Sequence, residues 1–319
     1  MLFSPLPMHI PDGFLSVGVS LVLWAVAIVV VGYALKRVNA DVGERQVPLM
    51  GVLAACIFAG QMLNFSVTGG TSGHLMGAAI ATILLGPWAG IVVLTCVVGV
   101  QALIFQDGGL LALGANIVNM GIIGVAVAYF AHRTLQKLLG KWSGGLFVSG
   151  FISGWLSIVV AAAACALQLA LSGASPANIA VPAMVGIHAL IGVGEGLITA
   201  GALAFLKVAR RDLVEVPQVQ FVGGKAVWVG GLVIAVALAI FSPLASAHPD
   251  GLEWVAEQRG FLDLARDPLY EIIPDYVLPG ISNEKLATIL AGVIGALIVF
   301  AAAAGVAYAR SKRARGSSA

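Results

Sequence analysis

Nine stretches of this chain are apolar runs of the kind that cross a lipid bilayer: residues 17–35, 48–65, 75–86, 88–105, 110–131, 146–172, 182–206, 226–243 and 286–308. A spanning helix needs about 20 mostly apolar residues, because lipid offers the backbone N–H and C=O groups no partner outside the helix itself. Of the 319 residues, 60% are hydrophobic and 10% charged, whereas an ordinary soluble domain carries roughly a quarter charged residues. These features exclude a soluble enzyme, a nucleic-acid binder and a disordered scaffold. They predict an all-α polytopic membrane protein of about nine transmembrane helices. The third stretch is short and Pro87 separates it from the fourth, so those two also read as a re-entrant pair.

The placement of the charges orients the chain. With the N-terminus outside and all nine stretches crossing, the inner side receives Lys36, Arg37 and Arg45; Arg133, Lys137 and Lys141; Lys207, Arg210, Arg211 and Lys225; and Arg310, Lys312, Arg313 and Arg315. That is 14 of the 17 Lys and Arg, leaving Arg259, Arg266 and Lys285 outside. Cytoplasmic loops carry such an excess, which predicts an outer N-terminus and an inner C-terminus. The polar stretch at 213–225 divides a seven-helix part, residues 8–212, from a two-helix part, residues 226–310. The second part holds an acidic outer loop at 244–285, and a basic inner tail follows at 311–319.

Several features read as packing or processing signals of little weight. Cys56, Cys96 and Cys165 lie inside apolar runs without a C-x-x-C pair and read as small buried hydrophobes. Gly86/Gly90, Gly150/Gly154 and Gly192/Gly196 have the spacing that lets helix backbones approach closely in lipid. Residues 1–7 lack a basic region and no cleavage-type sequence follows the first run, so no secretory signal peptide is expected. Ala245-Ser246-Ala247 resembles a cleavage site but is more simply an internal helix end.

On this topology three polar segments meet at the outer face: Met8-His9-Ile10-Pro11-Asp12-Gly13-Phe14-Leu15, Asn64 to His74, and Gln106-Asp107-Gly108-Gly109. His9 and His74 thus share one side without a basic neighbour. Neutral imidazole is the commonest protein ligand for transition metals, yet two imidazoles alone make a weak site, and two polar loop histidines are the plainer alternative. Asn64, Ser66, Thr71, Ser72 and Asp107 are candidates to accept the other imidazole N–H of a ligand. His188 and Glu195 lie seven residues apart on one helix face. They read first as an interhelical hydrogen-bonded pair and second as a proton or metal path. Asn116, Asn119 and Gln101 read as helix-packing groups.

The combination of Met-His-Ile-Pro-Asp-Gly-Phe-Leu (8–15), Gly-Gly-Thr-Ser-Gly-His (69–74), Gly-Gln-Met-Leu-Asn-Phe (60–65), Gln106-to-Asn116 and Gly-Ile-His-Ala-Leu-Ile-Gly (186–192) resembles the CbiM/NikM family. Its members are the substrate-binding (S) components of energy-coupling-factor transporters for nickel and cobalt. The likeness covers about Met8 to Arg211. The remaining third resembles their small accessory component, with His248-Pro249-Asp250-Gly251-Leu252-Glu253 similar to a PDGLE motif of the nickel type. The resemblance implies Ni(II) or Co(II) as transported substrate, nickel favoured, and no organic cofactor. It implies a metal bound by the first methionine's amine, the following histidine's amide and imidazole nitrogens, and the histidine of the Gly-rich loop: here Met8, His9 and His74. His248 and Asp250 would belong to the accessory loop, where His248 reads first as an ordinary loop residue and second as a transient metal ligand. Four nitrogens in a plane suit a tetragonal d-metal and not Mg²⁺ or Ca²⁺. One departure is that seven residues precede Met8 and their peptide bond removes the amine. A start at Met8 is favoured over trimming or a site with fewer ligands.

No G-x-x-x-x-G-K-[ST] loop and no H-E-x-x-H motif occurs. The expectation is therefore a transporter subunit, not an enzyme, in a bacterial plasma (inner) membrane. The resemblance supplies a transmembrane T (Q) component and ATP-binding A (O) subunits as partners. The alternatives are a proton-coupled secondary metal carrier acting through His188 and Glu195, and an intramembrane hydrolase built on Ser72 or Ser153.

Overall fold

A computed structural model describes residues 8–41, 47–140, 142–211 and 225–316. Residues 1–7, Arg45, Lys141, nearly all of the expected linker (212–224) and the last three residues of the tail lie outside the described residues.

Helices occupy all nine apolar stretches: α1 (Val17–Asp41), α2 (Val47–Gln61), α3 (Ala78–Leu85), α4 (Pro87–Phe105), α5 (Leu113–Leu139), α6 (Gly145–Leu171), α7 (Ala177–Ala209), α8 (Lys225–Phe241) and, after a short α9 (Gly251–Arg259), α10 (Glu284–Gly316). Seven of them are long and apolar enough to cross a membrane. The exceptions are α2, with 15 residues, and α3, with 8. Gly77 and Gly86, at φ 79° and 82°, together with Pro87, bound α3 closely. An α-helix of 8 residues rises only about 12 Å, well short of a hydrocarbon core of about 30 Å.

The small-residue spacings become a helix seam. Gly150 and Gly154 on α6 abut Leu203 and Thr199 of α7, while Gly192 and Gly196 on α7 abut Trp155 and Phe151 of α6. The two helices thereby pack over most of their length, as close backbone approach in lipid requires. α8 and α10 lie against α2: the Cys56 thiol donates to the Gly231 carbonyl at 3.3 Å, and Phe58, fully buried, abuts Gly295. The two parts of the chain thus share one core.

The 27 residues of α5 rise about 40 Å at 1.5 Å per residue, which separates the two ends of the bundle. Lys207 sits over the Phe147 ring at 5.3 Å near the C-terminus of α5. At the other end lie the segment before α1, the loop before α5, the long 242–283 segment, and a hairpin of β1 (Phe65–Val67) and β2 (Thr71–Gly73). Gly69 and Gly70, at φ 98° and 80°, make its turn. Two helices widen to π-helical turns on approaching this end, α4 at Gln101–Phe105 and α5 at Ile117–Gly124. Such turns recur at functional sites, since they re-aim side chains that a regular helix would direct elsewhere.

Candidate metal centre

The N-terminal segment is held in place by main-chain clamps. Ile10 N–H donates to Asn116 Oδ1 and Asn116 Nδ2 donates back to Ile10 O, both at 3.1 Å, while Gly109 N–H reaches the same carbonyl at 2.9 Å. Asp12 Oδ1 accepts from Ala112 N–H at 3.0 Å, just before α5. A Cβ on Gly109 would lie 2.2 Å from the Asp12 nitrogen, so only glycine lets the two loops touch. Met8 and His9 are thereby fixed above the bundle core, with His9 3% exposed.

His74 comes from the strand side. Immediately after it, Met76 and Gly77 N–H donate to the two oxygens of Glu195 at 2.7 and 3.1 Å, so a buried carboxylate on α7 clasps the chain that carries the imidazole. His74 Nδ1 lies 3.0 Å from Leu75 O. A carbonyl only accepts, so this contact is a hydrogen bond when Nδ1 carries the proton. The His9 and His74 rings stand edge to face with centroids 5.5 Å apart. His9 Nδ1 is 2.9 Å from Asp107 Oδ1, an ion-pair distance set off the line of a good hydrogen bond. His9 Nε2 is buried with no hydrogen-bond partner among the described residues. Met8 N–H donates to the same Asp107 oxygen at 2.8 Å.

The accessory part closes this end. Ser72 N–H donates to Pro249 O at 2.8 Å, Ser72 Oγ to His248 O at 2.8 Å, and Thr71 Oγ1 to Pro249 O at 3.1 Å. Ser246 N–H donates to Asn64 O, and Ser66 Oγ to Ser246 Oγ at 3.0 Å. Asp250 caps α9 by accepting from Glu253 N–H at 2.8 Å. Farther along, Tyr276 Oη donates to Asp107 Oδ2 and accepts from Gln101 Nε2 at 3.1 Å. A cavity of about 90 Å³ remains beneath, lined among others by Met8, His9, His74, Met120, His188 and Asp250.

The electrostatics of these loop groups follow from burial and one carboxylate. Burial works against charge on His9, but the negative charge of Asp107, with that of Asp250, outweighs it and holds the imidazole above its ordinary value. Burial likewise opposes ionisation of Asp107, yet His9 and the Tyr276 hydrogen bond keep its carboxyl below the usual range. Burial and the neighbouring His9 push His74 down to about 4, so it stays neutral. Burial pushes Asp250 up to about 7. Among the described residues no three His, Cys, Asp or Glu side chains converge on a metal-binding point.

Met8, His9 and His74 therefore meet at one cavity, and of the five groups expected behind them only Asp107 touches an imidazole. Ser66, Thr71 and Ser72 bond the accessory segment instead, and Asn64 offers it its main-chain oxygen. His188 and Glu195 do not form the expected pair: His188 Nδ1 donates to Met184 O at 2.8 Å, one turn back in the same helix, and Glu195 holds Met76 and Gly77. Ser72 and Ser153 hydroxyls donate to main-chain carbonyls, without a histidine base. Asn119 and Gln168 exchange amide hydrogen bonds between α5 and α6, the packing role expected of Asn119. Asn116 and Gln101 do more than pack helices, since each holds a loop of the site. His248 contributes its carbonyl, while Asp250 lines the cavity. Tyr276 was not foreseen, and nothing in its local sequence marks it.

Residues 9–213 match the family CbiM, the cobalt uptake substrate-specific transmembrane region, and residues 225–312 match the PDGLE domain. A putative fused nickel transport protein NikMN of Archaeoglobus fulgidus is 38% identical over 92% of this chain and 96% of its own length. A cobalt transport protein CbiM of Sorangium cellulosum is 34% identical over 66% of this chain and 96% of its own. A crystal structure of a truncated transition metal transporter superposes with a TM-score of 0.57 at 36% identity, covering 63% of this chain and 99% of that one. With that match over well over half its length, the chain belongs to the CbiM family and carries a PDGLE domain behind the CbiM region.

Proposed function

We propose that this chain is the substrate-capturing membrane component of an ATP-driven energy-coupling-factor importer for a divalent transition metal, Ni(II) or Co(II), with nickel favoured. The observation that carries the reading is the pair of buried imidazoles, His9 and His74, brought to one cavity beside Met8. Their ring centroids are 5.5 Å apart beside one cavity, and neither ring nitrogen of His9 makes a well-aligned hydrogen bond among the described residues. Burying an imidazole without a partner is costly, and a metal ion removes that cost. Asp250, pushed up to about 7 by burial, is a carboxylate that a dication would favour in its charged form.

Met8, His9 and His74 are the ligands in this reading. A chain beginning at Met8 would add its amine and the His9 amide nitrogen, and both must lose a proton to bind. Nitrogen-rich donors suit Ni(II) and Co(II) and not hard cations. The nickel preference rests on the fused NikMN-type relatives, whose names carry nickel. Residues 8–212 would capture the ion at the outer face. Residues 226–310, through the 244–285 loop, would assist its loading, and 213–225 with the 311–319 tail would lie inside. A transmembrane T (Q) component and ATP-binding A (O) subunits in the plasma membrane would supply the driving force. The test is Ni(II) and Co(II) binding by the purified chain beginning at Met8. One ion per chain is expected, lost in His9→Ala and in His74→Ala; binding that survives both substitutions would refute the reading.

A further inference from the structure

Tyr276 belongs to the PDGLE part, yet its side chain ends in the CbiM part, 169 residues earlier in sequence. Its ring stacks on Phe105 at 4.8 Å and 16° and tilts against Phe58 at 6.0 Å. It is 5% exposed. The hydroxyl accepts from Gln101 and donates to Asp107 Oδ2. The chain adopts an uncommon backbone to deliver it. Asp275 and Tyr276 have φ of 52° and 57°, a left-handed region that bulky residues rarely enter. Such conformations persist where the surroundings over-determine them and cluster at ligand sites.

The other oxygen of the same carboxylate, Oδ1, lies 2.8 Å from Met8 N and 2.9 Å from His9 Nδ1. Two nitrogens of the candidate chelate thus converge on one carboxylate oxygen, where an ion drawn to them would have to come. An imidazole can chelate together with its own main-chain nitrogen only through Nδ1, because Nε2 points away from that nitrogen. We propose that Tyr276 is the positioning residue through which the accessory part acts on the metal: as Met8 and His9 turn to the ion, Asp107 gives up its Oδ1 contacts, and the Tyr276 hydroxyl keeps the carboxylate beside the ion as its counter-charge. The proposal rests on the metal site described under Proposed function. A dication among neutral imidazoles in an apolar cavity needs such a charge nearby, and outer groups of this kind typically change metal affinity by about 10–100-fold.

The experiment titrates Ni(II) into the chain beginning at Met8, in detergent, for the wild type, Tyr276→Phe, Gln101→Leu, Asp107→Asn and the double variant Tyr276→Phe/Asp107→Asn. Phenylalanine keeps the stacked ring and removes only the hydroxyl. Gln101→Leu leaves Tyr276 intact but frees its hydroxyl, so either variant tests the link if the other melts abnormally. The expected result is Ni(II) binding weakened about tenfold or more in Tyr276→Phe and less in Gln101→Leu, with the double variant no weaker than Asp107→Asn alone. Unchanged affinity in Tyr276→Phe, or losses that multiply in the double variant, would overturn the proposal, because independent sites add. A wild type that binds no Ni(II) would sink the metal-site reading itself.

Discussion

Asn116→Ala tests whether the N-terminal clamp sets the metal site. The substitution removes both hydrogen bonds between Asn116 and the Ile10 main chain, each 3.1 Å long and buried. Ile10 O keeps Gly109 N–H at 2.9 Å, but Ile10 N–H is left in a buried place with no acceptor. Neutral hydrogen bonds contribute about 1 kcal/mol each, and an orphaned buried donor costs about 1–3 kcal/mol. Losing the bond to Ile10 O and leaving Ile10 N–H unpaired together cost about 2–4 kcal/mol. The loop that loses this support carries Met8 and His9, so the loss falls on metal binding, where each 1.4 kcal/mol is about tenfold in Kd. The expected result, by isothermal titration with Ni(II), is a Kd raised at least about 30-fold, with a cooperative melt retained. A folded variant whose Kd stays within about twofold of wild type would show that the clamp does not set the site, and the geometric reasoning would fall.

Three further outcomes follow from the same geometry. Because Asp107 keeps His9 protonated to higher pH than an ordinary imidazole, metal must displace that proton. Ni(II) affinity should therefore fall as pH drops from about 8 to 6, with no step from His74, held near about 4; a flat profile over that range contradicts the His9 assignment. Glu195→Gln turns one of two acceptors for Met76 and Gly77 N–H into a donor, which should cost about 1–3 kcal/mol of stability and weaken binding. Transport driven by the ATPase partners should fall only as far as binding does, whereas uptake abolished at unchanged binding would restore the proton-carrier alternative. Gly251→Val would drive a side chain into Ile191 and His188, whose atoms would stand 2.7 and 2.9 Å from a Cβ on Gly251. Release of bound Ni(II), followed by chelator quench, should accelerate; an unchanged rate would mean the loop does not cover the ion.

The sequence disclosed the parts whose physics is local. Apolar runs located nine of the ten described helices, all but α9, because lipid leaves backbone groups no other partner, and Pro87 with Gly86 marked the break between α3 and α4. Loop motifs brought Met8, His9 and His74 to one end for the same reason, since short outer connections leave few places for them. Partners reached across the fold stayed hidden. The spacing of His188 and Glu195 shows a shared face but not that each bonds main chain instead. Ser66, Thr71 and Ser72 carry no sign that they grip the 246–249 segment. Tyr276 meets Asp107 only because α8 and α10 dock on α2, a contact that no local pattern encodes.

The most direct measurement compares two purified forms, one beginning at Met1 and one at Met8, titrated with Ni(II) and Co(II). The expected result is tight binding of one ion per chain by the Met8 form, lost in His74→Ala, and much weaker binding by the Met1 form, whose peptide bond occupies the Met8 nitrogen. Equal binding by both forms would contradict an amine ligand and require the site to be rebuilt around His9, His74 and the Asp107 and Asp250 carboxylates.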